Sequence, residues 1–64
     1  NTMLFDGKTL FAEGSDLIEI FATNGIKVAH TDAESIEVSN LSDGLYIAVA
    51  TKGNTRLIHK FIIK

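Results

Sequence analysis

Sixty-four residues allow one small domain with a thin core, and 45% hydrophobic with 22% charged residues is a composition that folds rather than stays disordered. A net charge of -2, from six basic and eight acidic side chains, leaves no basic footprint for a phosphate backbone or an anionic bilayer surface, so nucleic-acid binding and direct membrane insertion are not expected. With no cysteine there is no disulfide to supplement a core this small, which makes a partner surface more important.

No apolar run reaches the 18 or so residues that span a bilayer, and no charged-then-apolar leader opens the chain, which starts at Asn1 as a processed fragment or an excised domain would. Ile, Val, Thr, Phe and Tyr supply 22 of the 64 residues, a bias towards strands. Turn formers recur through the chain at Asp6-Gly7, Glu13-Gly14-Ser15, Asn24-Gly25, Ser39-Asn40, Asp43-Gly44 and Lys52-Gly53-Asn54. Such punctuation predicts a sandwich or barrel and leaves no room for a long helix.

Asn24-Gly25 predicts a type I′ hairpin turn joining strands over 17–22 and 26–30, since both residue types tolerate the positive φ that this turn requires. In the first of these strands Ile18, Ile20 and Ala22 share one face and Leu17 and Phe21 the other, so both faces are expected to be largely covered. Thr31-Asp32-Ala33-Glu34 has the spacing of a capping box, but residues 35–38 alternate with period two, and the segment reads as a loop followed by a short strand.

Residues 45–50 are apolar throughout and predict a central strand with a bulky face (Leu45, Ile47, Val49) and a face that leaves room for a second layer (Tyr46, Ala48, Ala50). Past the Lys52-Gly53-Asn54 turn, the last strand carries Leu57, His59, Phe61 and Ile63 on one side and Ile58, Lys60 and Ile62 on the other. An apolar end strand of this kind invites self-association unless it is paired.

Chemistry is sparse. There is no Gly-x-Ser-x-Gly elbow and no glycine-rich phosphate loop, and His30 and His59 lie far apart with no nucleophile at a telling spacing. His30, Asp32 and Glu34 would share one face of an extended strand and form the best metal candidate, yet a fourth ligand is missing and the trio reads better as a solvated edge. Neither a catalytic residue nor a metal or other cofactor is expected.

The stretch "LSDGLY" at 41–46 resembles the Leu-x-x-Gly-x-Tyr signature of the C-terminal sorting domain of the type IX secretion system of Bacteroidota. Leu17-Ile18-Glu19-Ile20-Phe21, then Asn24-Gly25-Ile26-Lys27-Val28, is similar to that family's strand, Asn-Gly turn and return strand, and Lys60-Phe61-Ile62-Ile63-Lys64 to its closing lysine-apolar-lysine element. The likeness runs over about residues 16–64. No Pro-Asn-Pro element is present, so either the first strands of the family pattern are missing or the chain belongs to a divergent branch.

The resemblance implies one all-β domain over residues 1–64, an immunoglobulin-like sandwich of six or seven short antiparallel strands. It further implies a non-catalytic secretion signal that passes through the periplasm and directs its cargo across the outer membrane. A sortase-like cysteine peptidase would then remove the domain at the surface, leaving cargo that is commonly joined to anionic lipopolysaccharide. Partners would be translocon or shuttle proteins reading Lys60, Phe61, Ile62, Ile63 and Lys64, while Asn24, Gly25, Leu41, Gly44 and Tyr46 would serve the fold, Leu41 and Tyr46 as plugs on either side of Gly44. The rival readings are an adhesion module of the immunoglobulin or fibronectin type and a small metal-dependent enzyme using His30, Asp32 and Glu34.

Overall fold

Each of the six turn signals falls at a strand boundary in the computed structural model, which describes residues 3–64. Between them lie seven strands: β1 (Met3–Phe5), β2 (Thr9–Ala12), β3 (Leu17–Ala22), β4 (Lys27–Thr31), β5 (Ser35–Glu37), β6 (Gly44–Lys52) and β7 (Thr55–Ile63). They form a three-stranded sheet of order β1-β2-β5 and a four-stranded sheet of order β4-β3-β6-β7, antiparallel at every pairing. β1 lies against β7 and β5 against β4, so the two sheets face each other as a small immunoglobulin-like sandwich.

Alternation along the strands decides what fills the space between the sheets. Leu10, Ala12, Ile18, Ile20, Val38, Tyr46, Ala48, Ala50, Phe61 and Ile63 form the buried core. β6 turns its small residues inward, with Ala48 fully buried, and this is the face read from sequence as having room for a second layer. β3 has Ile18 and Ile20 fully buried on its inner face, while Leu17, Glu19 and Phe21 on its outer face are only half-covered.

The Asn24-Gly25 connection differs from the type I′ expectation. Only Gly25 has positive φ there, at 90°, and no non-glycine residue among the described residues does. The Gly25 amide donates to Ala22 O (2.9 Å), the Ala22 amide to Ile26 O (2.9 Å), and the Ile26 amide to Asn24 Oδ1 (3.1 Å). This is a three-residue loop closed by a left-handed glycine, in which Asn24 serves through its side chain rather than its backbone. Ile26 closes the loop opposite Ala22, 61% exposed, and β4 starts one residue later than read from sequence.

Thr31 acts as the cap its spacing suggested, but for a turn: its Oγ1 accepts the Ala33 amide at 3.2 Å, and the chain goes straight into β5. The β1–β2 turn is held by Asp6, whose Oδ1 accepts the amides of Thr9 (2.8 Å) and Lys8 (2.9 Å). Those two amides, Thr9 first, hold the Asp6 carboxyl below its usual range. Because the folded-state pKa is depressed, the contribution is complete above the unfolded value of about 4 and disappears as pH falls through the folded one. The gap in melting temperature between the native chain and Asp6→Asn, measured across a pH series, is therefore expected to close in acid.

Candidate recognition surface

The LSDGLY stretch forms the corner by which the chain enters β6. The Leu41 amide donates to Val38 O at 3.0 Å, and Leu41 packs against the core from the rim. Gly44 then has φ of 150°, a conformation that L side chains rarely adopt, although a methyl group there would meet only Tyr46 Cε2 at 4.0 Å. The backbone angle, and not space, selects glycine at this position.

Two residues on, Tyr46 is 8% exposed and its hydroxyl donates to Ser42 O at 2.7 Å. A tyrosine near the start of this strand that bonds back to the preceding corner is a recurring device of immunoglobulin-like sandwiches, the tyrosine corner. It accounts for the spacing: Leu41 seals the rim, Gly44 redirects the backbone, and Tyr46 reaches back to fasten the loop. The hydroxyl contact was not read from sequence. A buried tyrosine's need for a polar partner was the available signal.

β7 pairs along its whole length with β6, Gly44 opposite Ile63 and Lys52 opposite Thr55, and on its other side it has no strand among the described residues. Its inner face is anchored, since Phe61 (5% exposed) lies 4.7 Å from Phe5 and 6.0 Å from Tyr46 between ring centroids, with Ile63 buried beside them. Its outer face is open: Ile58 is 70% and Ile62 54% exposed, with Arg56, Lys60 and Lys64 also exposed. Within the closing segment, then, Lys60, Ile62 and Lys64 face solvent while Phe61 and Ile63 belong to the core.

Register continues this outer face across the sheet. Leu45 stands opposite Ile62, Ile47 opposite Lys60 and Val49 opposite Ile58, and Phe21 of β3 flanks Ile47 from the other side. The result is an apolar sheet face edged by a basic row along β7. At the far side Lys27 Nζ and Glu19 Oε2 pair at 3.2 Å, an exposed contact of small energetic value.

The His30, Asp32 and Glu34 trio is not assembled into a site. The Glu34 Oε1 instead accepts the Gly14 amide at 3.0 Å, and among the described residues no group of three His, Asp or Glu could hold a metal ion. Asp32 lies in the bend between β4 and β5, off the strand that would have aligned the three. His59 has inward parity yet is exposed, a rim position at the open flank. No helix among the described residues is long and apolar enough to cross a membrane.

In comparison with protein families, residues 7–64 match the model described as "Secretion system C-terminal sorting domain". Comparison with curated proteins and with solved structures gives no match. The family match takes in the β2-to-β7 frame, the tyrosine corner and the closing strand. This chain belongs to the C-terminal sorting domains of the type IX secretion system, a family of secretion signals whose destination is the cell surface or the extracellular space.

Proposed function

We propose that the domain acts as a non-catalytic label. It accompanies attached cargo through the periplasm, is read by a translocon or shuttle protein at the outer membrane, and is removed at the surface by a sortase-like cysteine peptidase. The single observation that carries this reading is the family match over residues 7–64. The surface assigned to the reader is the open side of β7, where Lys60, Ile62 and Lys64 are displayed while Phe61 and Ile63 fix the strand to the core.

The test is export of a reporter fused ahead of residues 1–64 in a host with type IX secretion. The intact fusion is expected at the surface or in the medium, and a fusion lacking residues 60–64 in the periplasm. Because truncation also removes Phe61 and Ile63, a second fusion carrying Lys60→Glu and Lys64→Glu keeps the core and is expected to be retained with an unchanged melting curve. Normal export of both altered fusions would overturn the reading. A reporter that the intact domain leaves unexported would point to an adhesion module instead.

A further inference from the structure

Charge is distributed unevenly along this chain. Residues 1–54 hold all eight carboxylates against three lysines, a net -5, whereas residues 55–64 hold Arg56, Lys60 and Lys64 with no acid, a net +3. Arg56 and Lys60 stand on the outer face of β7, interleaved with Ile58 and Ile62, with Thr51 and Ile47 as their respective neighbours on β6, and Lys64 follows directly after the strand. None of the three has an ion pair or a side-chain hydrogen bond among the described residues. A nine-residue edge strand with free backbone groups therefore displays the repeat basic, apolar, basic, apolar, which Lys64 continues just past its end.

We infer that the free edge of β7 takes an added strand from its partner, one whose residues on the outer face alternate acidic and apolar. The inference rests on the reading of β7 as the recognised surface and names the chemistry of what reads it. Strand addition satisfies the backbone of the edge, and the directly opposed side chains, about 5 Å apart, set the choice of partner. A second copy of this chain fits poorly. Antiparallel self-pairing centred on Ile58, Lys60 or Ile62 sets basic against basic, and pairing centred on His59 or Phe61 sets basic against isoleucine. No register offers a carboxylate, because β7 has none.

The test titrates residues 1–64 with three capped nine-residue peptides that have Thr on one face and, on the other, Ile alternating with Glu, Gln or Lys. Backbone amide shifts and hydrogen exchange read the binding. The Glu peptide is expected to bind about tenfold more tightly than the Gln peptide, to protect β7 amides, and to lose that advantage as salt rises. The Lys peptide is expected not to bind, and Arg56→Glu with Lys60→Glu to reverse the order. Equal binding of all three, no binding at millimolar peptide, protection of the β4 or β1 edge instead, or dimerisation through β7 in light scattering would each overturn the inference. If export still depends on Lys60 and Lys64 after such a result, only the partner's chemistry is wrong; if export ignores them, the reading of β7 fails as well.

Discussion

Phe61→Ala is expected to destabilise the domain by about 3–5 kcal/mol, the usual range for removing a buried aromatic ring. A 64-residue domain has about 3–10 kcal/mol in total, so this one change should leave much of the population unfolded at 37 °C. Phe61 has this weight because it is the contact between layers at the open flank: its ring meets Phe5 of β1 at 4.7 Å, tilted by 51°, and Tyr46 of β6 at 6.0 Å. Removing it frees β7 from the opposite sheet and opens a void lined by two other aromatic rings. Denaturant unfolding followed by circular dichroism measures the loss. Lys60→Ala, one residue away and facing solvent, should shift the same curve by less than about 0.5 kcal/mol. A sorting defect from the first change would thus be a folding defect, and one from the second would be, on the proposed reading, a recognition defect.

Tyr46→Ala should be comparably damaging, about 3–5 kcal/mol, since it removes a ring that is 8% exposed along with the bond to Ser42 O. Tyr46→Phe separates the two parts. It keeps the ring beside Phe61 and removes only the hydroxyl, for an expected cost of about 1 kcal/mol. Hydrogen exchange should place that smaller loss locally, at the amides of 41–44, while the alanine change should weaken protection through the whole sandwich. A phenylalanine variant as unstable as the alanine variant would mean that the corner bond outweighs the packing.

The strands with a clear period were readable from the amino-acid order alone. β6 came out as its alternation indicated, with Tyr46, Ala48 and Ala50 inward; β7 divides into the two sides its alternation gave, although His59 on the inner side is exposed; β3 was expected to be covered on both faces, and its outer face is only half-covered. β1 and β2 gave less away, because three and four residues are too short for periodicity to speak, yet Leu10 of β2 is fully buried. The Asn24-Gly25 turn was located correctly and its type was not. Composition specifies which residues tolerate positive φ, while the choice between a two-residue and a three-residue loop depends on the pairing of β3 with β4, which slips between Ile20 and Phe21. Glu34 was read through its charge and spacing, but its carboxylate closes a contact to Gly14, twenty residues away, that only the sandwich brings together. The candidate recognition surface was largely legible: the closing residues were singled out and alternation set Phe61 and Ile63 on one side and Lys60 and Ile62 on the other, but which side is buried needed the packing of the two sheets.

That register has a consequence for fidelity. β7 is a two-sided ribbon, and its sides exchange roles if pairing with β6 slips by one position. A chain misaligned in this way would hide the cations, expose Phe61 and Ile63 to water, and present a greasy margin in place of an address. If β7 is the surface that is read, as proposed, only a correctly assembled domain displays it, and the displayed cations then report that the domain has folded.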